Sequence, residues 1–253
     1  MRRFVMTLAS AVVIAVFLCG TGFAALREYT NGIDGGYSPF AYIDKAGQPA
    51  GFDVEAMNWV AAKMGFSVKH VARPWKGIID DLLTGRVDMI CSGMSITSQR
   101  AARVAFSEPY FVIRKVIVIR ADQDLTGEQV LKSRKWLGVQ RGTNEAEWLS
   151  RNRDRNKWNY ELVYFDSPGK AMAGVLDGKV DAAGLDSAPA MTAIDKQGMN
   201  LKIVGEFAPK DEFGVAVRPG ENELLKLINE GFRQLRADPF WEELWRKYLT
   251  PNE

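Results

Sequence analysis

The sequence predicts an α/β fold of two lobes, each a mainly parallel sheet flanked by helices. Strand-type and helix-type hydrophobic spacings alternate along most of the chain. Helices of crossover length separate successive strands, which implies parallel pairing with helices on both faces. The alternation comes in two sets, and 253 residues are enough for two small domains. Periodicity alone does not say how the lobes divide the chain.

Arg27–Ile33 reads as the first strand. Phe52–Met64 carries Val54, Met57, Val60, Ala61 and Met64 at helical spacing and stops at Gly65. Ser67–Ala72 alternates as a strand, Trp75–Leu83 is helical and closes at Gly85, and Val87–Cys91 is a short apolar strand. Thr97–Val104 is a short helix capped by Thr97 or Ser98. Val112–Ala121, a longer β-rich run, leads into the second set. Its strands are Trp136–Gln140, Tyr160–Phe165, Val180–Leu185 and Leu201–Val204, and its helices Glu145–Arg151, Pro168–Leu176 and Ala188–Gln197. Ser167-Pro168 supplies a cap followed by proline at the first helical position. A strand at Phe213–Val217 and helices at Glu221–Arg236 and Pro239–Leu249 complete the chain.

The first 24 residues stand apart. Arg2 and Arg3 precede an apolar run from Phe4 to Cys19, and Gly22-Phe23-Ala24 offers small residues where a signal peptidase reads. The run is shorter than the roughly 20 apolar residues of a spanning helix. A cleaved export signal, cut after Ala24, is expected, with a periplasmic mature protein. Leu18 before Cys19 speaks against lipidation. Removing Arg2 and Arg3 lowers the net charge from +2 to zero. A neutral mature surface argues against nucleic acid or an anionic membrane as partner. Cys91 is then the one remaining cysteine, in an apolar run, and reads as a buried core thiol.

The sequence has no phosphate-binding Gly-Lys-Ser/Thr loop and no G-x-G-x-x-G after a strand. A histidine metal site or a Ser-His-Asp triad would need His70, the single histidine, which sits in an alternating strand. Asp80 and Asp81 are adjacent on a helix and point apart. No cofactor, no metal and no catalytic residue is expected.

A binding site is better supported. In Gly93-Met-Ser-Ile-Thr-Ser-Gln-Arg100 a strand gives way to a helix, whose first N–H groups attract anions. Ser95 and Thr97 add hydroxyls, and Arg100 can present two parallel donors to a carboxylate. Helix capping plus a surface arginine explains the same residues equally well. Asp186 ends a later strand, where open α/β sheets bind ligands, and could hold an ammonium or cap the next helix. Tyr37 and Phe52 flank short loops and could wall a pocket or pack in the core.

In order and spacing, Tyr37-Ser-Pro-Phe40, Gly51-Phe-Asp-Val-Glu55, Trp75, Gly85-Arg-Val-Asp88, Ser95-Ile-Thr-Ser-Gln-Arg100, Phe106-Ser-Glu-Pro-Tyr110, Gly138-Val-Gln-Arg-Gly-Thr143, Gly178-Lys-Val-Asp-Ala182 and Asp186 resemble the periplasmic binding proteins for polar amino acids, solute-binding protein family 3. The resemblance spans nearly the whole mature chain. It implies a type II periplasmic-binding-protein fold: lobe 1 from residues 25–112 and 214–253, lobe 2 from 113–213, two crossings, and a ligand between the lobes. It also implies a monomer that serves an ABC importer permease in the inner membrane.

By residue match, Arg100 binds the α-carboxylate with the N–H groups of Ser95 and Asn144, and Thr97 and Thr143 accompany them. Asp186 binds the α-ammonium with the Ser95 hydroxyl and the Gly93 carbonyl. Tyr37 and Phe52 sandwich the side chain, and Asp34 and Gln140 meet its tip. Asn144 departs from the threonine of many members, which keeps a backbone contact and loses a hydroxyl one. The expected ligand is a polar or basic L-amino acid. Two rivals are a cyclohexadienyl-dehydratase-like enzyme on the same scaffold and a free-standing sensory receptor. Retention of both Arg100 and Asp186 weighs against the enzyme, and a chain ending at Glu253, just past its last helix, against a fused sensor.

Overall fold

A computed structural model describes residues 26–250, so the expected export signal lies outside the described residues. β1 (Glu28–Ile33) is followed by a small antiparallel sheet of β2 (Gly36–Tyr37), β3 (Ala41–Ile43) and β4 (Pro49–Ala50). Then come α1 (Phe52–Met64), β5 (Ser67–Ala72), α2 (Ile78–Leu83), β6 (Met89–Ile90), α3 (Ser98–Ala101) and β7 (Ala105–Phe106). The chain crosses to a second sheet with β8 (Phe111–Arg120), α4 (Gly127–Lys132), β9 (Lys135–Gln140), α5 (Asn144–Asn152) and β10 (Tyr160–Phe165). α6 (Pro168–Leu176), β11 (Ala182–Asp186), α7 (Ser187–Met191) with a π-helical turn over Thr192–Lys196, and β12 (Leu201–Phe213) follow. The chain returns with β13 (Ala216–Val217) and ends in α8 (Asn222–Ala237) and α9 (Pro239–Tyr248).

The two large sheets have orders β5-β1-β6-β13-β7 and β10-β9-β11-β8-β12. In each, one strand is reversed: β13 is antiparallel to β6 and β7, and β8 to β11 and β12. These are the first strands after each crossing between the sheets. The architecture is a two-lobed, mainly parallel α/β fold of the type II periplasmic-binding-protein kind.

Packing follows from the patterns. In the first lobe, α1 turns Val54, Met57, Val60 and Ala61 inward, and Gly65 ends it in the left-handed conformation, φ 76°. α8 crosses close to α1 because Gly231 leaves no room for a Cβ against Val60. In the second lobe, β8 is apolar on both faces, since helices cover both. Val116 and Val118 meet Val175 and Leu185 on one side, and Ile117 and Ile119 meet Val139 and Leu149 on the other.

Two sequence expectations need correction. The helix expected from Trp75 begins at Ile78, because Gly77 takes φ 101° and leaves Trp75 on a loop. β12 continues from Leu201 to Phe213, far past Val204, because it pairs with β8 along its length through three register shifts. Those irregularities erase the simple alternation that would have marked it.

Candidate functional site

The loops at the carboxyl ends of the strands meet in a narrow cleft between the lobes. Asp34 follows β1, Gly93 and Ser95 follow β6, Gln140 ends β9 and Asp186 ends β11. Parallel sheets place their ligand loops at such ends.

Arg100 lines this cleft. Thr97 caps α3 by accepting the Arg100 N–H at 3.2 Å, which fixes the helix start. The guanidinium donates to the Ser95 carbonyl at 3.0 Å and lies 5.6 Å from the Trp75 ring centroid. Its neighbour Arg103 pairs with Asp80. Arg100 makes no ion pair among the described residues, although burial, which lowers its pKa, penalises its charge. The α5 N-terminus, with Asn144 and Glu145, also borders the cleft. Thr143 caps it by accepting the Ala146 N–H, and its own hydroxyl donates to the Gln140 carbonyl at 2.9 Å. Helix geometry leaves the first-turn N–H groups without intrahelical partners. A guanidinium, a helix start and the Ser95 hydroxyl together suit an anion.

The other half of the cleft is organised around a buried lysine. Lys115 of β8 is 1% exposed. Its ammonium pairs with Glu145, with Asp186 Oδ1 at 2.6 Å and with Asp211 Oδ2 at 3.0 Å, and lies 3.5 Å from Ser95 Oγ. The Tyr37 hydroxyl donates to Asp186 Oδ2 at 2.5 Å, and the Asn144 amide to Asp211 at 2.6 Å. Asp186 stands at the N-cap of α7 but makes no capping bond.

The titration of these groups follows from their contacts. Burial, joined by the charge of Glu145, pushes Asp186 up to about 7 against the pull of Lys115. Glu145 is held at about 2, because the attraction and hydrogen bond of Lys115 outweigh its burial. Lys115 is raised: its three carboxylates more than offset the desolvation that would lower it. Burial also raises Asp34, opposed by hydrogen bonds from Gln140 and the Gly36 N–H.

Among the hydrogen bonds that span the lobes, two end on buried carboxylates. Tyr37 reaches Asp186, and the Gln140 amide donates to Asp34 Oδ2 at 2.6 Å. Gly93 allows the first: with φ +59° it passes under the Tyr37 ring, where a Cβ would collide with the ring. Its N–H donates to the buried Asp53 carboxylate at 2.6 Å, which also accepts the Tyr110 hydroxyl at 2.7 Å.

Asp34, Tyr37, Gly93, Ser95, Arg100, Gln140, Thr143, Asn144 and Asp186 line this one cleft. Phe52 does not. It is fully buried at the start of α1, edge-on to Phe40, Phe111 and Trp241, and walls no cleft. The aromatic that lines the cleft along with Tyr37 is Trp75 instead. Thr97 is spent on capping and does not border the cleft. The sequence reading missed Lys115, Glu145 and Asp211. Lys115 had a signal: it shares a strand face with Phe111 and Ile113, so alternation turns it inward. Glu145 had little, because acids in a first helical turn are ordinary dipole partners.

A cleft between two α/β lobes, with a guanidinium and a helix start set to meet an anion, is the arrangement of a solute-binding protein. The chain belongs to the bacterial extracellular solute-binding proteins, family 3, which match residues 29–251. It is similar to the L-cystine-binding protein TcyJ of Escherichia coli, 27% identical, with 86% of this chain and 81% of the relative covered. The histidine-binding periplasmic protein of Salmonella typhimurium is also 27% identical, with 96% of each chain covered. Among solved structures, the ancestral amino acid-binding protein AncCDT-1, a precursor of cyclohexadienyl dehydratase, superposes with a TM-score of 0.79 at 29% identity, covering 88% of this chain and 95% of that one.

Proposed function

We propose that the mature chain is a periplasmic receptor that closes on a small carboxylate solute of amino-acid size and delivers it to an ABC importer permease. The observation that carries the reading is Arg100, a cleft guanidinium held by a capped helix and an aromatic ring yet without an ion-pair partner among the described residues. In this reading Arg100, Ser95 and the α5 start at Thr143 and Asn144 hold the carboxylate. Tyr37 and Trp75 flank the rest of the solute, Gly93 and Asp186 lie near its α carbon, and Asp34 and Gln140 meet its far end. The lobes divide at residues 112/113 and 213/214, the hinge lies at those crossings, and the receptor acts as a monomer after cleavage behind Ala24.

The relatives named for cystine and histidine make polar and basic L-amino acids the first solutes to offer. The test is thermal unfolding of the mature chain, refolded to strip carried solute, against the amino acids and a set of non-amino carboxylates. A ligand at 100 times its dissociation constant adds about 2.7 kcal/mol of stability. A shift with one carboxylate family is the expected result. A folded protein that no carboxylate shifts would end this reading.

One observation favours a second reading. Asp186, pushed up to about 7, could serve as a general acid in the cleft, and a structural neighbour is described as a dehydratase precursor. Turnover of prephenate or arogenate by the purified chain would establish that reading in place of the first.

A further inference from the structure

The ammonium subsite of an amino-acid receptor needs a carboxylate whose charge is not already taken up by another cation. Both oxygens of Asp186 are engaged here: Oδ1 by the Lys115 ammonium at 2.6 Å and Oδ2 by the Tyr37 hydroxyl at 2.5 Å. Lys115 has three N–H donors and three carboxylate partners, Glu145, Asp186 and Asp211. It is 1% exposed on β8, a strand held between β11 and β12, so it has nowhere solvated to retreat to. A ligand ammonium on Asp186 would have to share one carboxylate with a buried ammonium already there. Like charges at that separation in a dry site repel strongly.

Resting on the carboxylate reading above, we infer that the cleft takes an acid whose α carbon carries oxygen instead of an ammonium group: a 2-oxo or 2-hydroxy carboxylate. Lys115 is the protein's own substitute for the missing amine. The Ser95 hydroxyl accepts from Lys115 at 3.5 Å and keeps its own proton to donate to an α-oxygen.

Matched sets test this on the wild-type mature chain: glutamate with 2-oxoglutarate and 2-hydroxyglutarate, phenylalanine with phenylpyruvate and phenyllactate, leucine with its 2-oxo and 2-hydroxy acids. Titration calorimetry on solute-stripped protein should show the oxygen-bearing member binding at least about tenfold more tightly than its amine wherever a set binds. An amine that binds as tightly or more tightly overturns the inference and leaves the carboxylate receptor standing. No binding by any member overturns both. Lys115→Met, checked for a cooperative thermal transition, should free Asp186 and move preference toward the amines. A folded variant with the wild-type preference would remove Lys115 from the specificity argument.

Discussion

Arg100 lines the cleft and Lys115 is buried against its carboxylates Glu145 and Asp186, and what surrounds each separates their roles. Lys115 has three carboxylates within ion-pair distance, so its charge is satisfied without a ligand. Arg100 has a carbonyl and a ring, neither of which neutralises it. Arg100→Ala should therefore cost at least about 3 kcal/mol of solute binding, because it leaves a carboxylate desolvated and unpaired. Calorimetry reads the loss, and near-wild-type affinity would remove Arg100 from the clamp. Asp53 raises a different question, that of stability. It is buried under the Gly93 turn, burial pushes it up to about 7 against hydrogen bonds from Tyr110 and Gly93, and Oδ1 has no partner. A carboxyl raised on folding binds its proton more tightly in the folded state. Its contribution is complete below the ordinary value of 3.8 and is lost as pH rises to about 7. Asp186 has the same sign, and Glu145, held at about 2, the opposite one at lower pH. The difference between Asp53→Asn and wild type isolates the one group. Denaturant midpoints should show the variant gaining on wild type from pH 4 to 7, by about 1.4 kcal/mol per pH unit, and holding level above. A difference independent of pH would mean that Asp53 is ionised throughout.

The elements show why some of this was legible in the sequence and some was not. Phe52–Met64, Ser67–Ala72, Tyr160–Phe165 and Pro168–Leu176 coincide with their expected limits, because local chemistry marks their ends: a left-handed Gly65, and a Ser167 cap with proline behind it. The cleft positions of Arg100 and Asp186 were legible because Asp186 ends β11 and Arg100 sits on the short helix after β6, and the loops beyond strand ends border the cleft in such a fold. Phe52 and Trp75 were not separable, since both are aromatics beside glycine-containing turns. What decides between them is that α1 begins at Phe52 and turns it inward, whereas α2 begins three residues beyond Trp75 and leaves it on the cleft. The Lys115 cluster was beyond reach for another reason. Its partners come from α5, β11 and β12, distant stretches joined only by sheet order. The terminal helix α9 gives a prediction at this scale. Leu244 is 1% exposed within the first lobe's core, and Trp241 and Trp245 pack on Phe52 and Phe111. Leu244→Ala should lower unfolding free energy by about 2–5 kcal/mol while leaving solute affinity near wild type, because it opens a cavity far from the cleft. Affinity falling in step with stability would tie α9 to the site.

At the scale of the molecule, the two lobes meet across the cleft through a small number of directional contacts. Tyr37 to Asp186 and Gln140 to Asp34 each join a side chain of one sheet's loops to one of the other's. Both are hydrogen bonds to carboxylates whose burial raises their pKa, so opening the lobes would rehydrate those carboxylates as it broke the bonds. The closed arrangement is then held by terms of modest size, about 1–3 kcal/mol for a hydrogen bond to a charged group. A solute bridging Arg100 in one lobe and the α5 start in the other adds its own contacts only when the lobes are shut, which is the differential affinity a hinge transition requires. Tyr37→Phe combined with Gln140→Ala removes these two contacts and spares Arg100 and α5. Without solute, this double variant should populate the open form more, seen as a larger radius of gyration in solution scattering than wild type. Saturating solute should return it to the wild-type value at a weaker apparent affinity, because the ligand must now supply more of the closing free energy. If instead the variant scatters as wild type without solute, the lobes are held shut by their crossings and core contacts, and the two hydrogen bonds only orient Asp34 and Asp186.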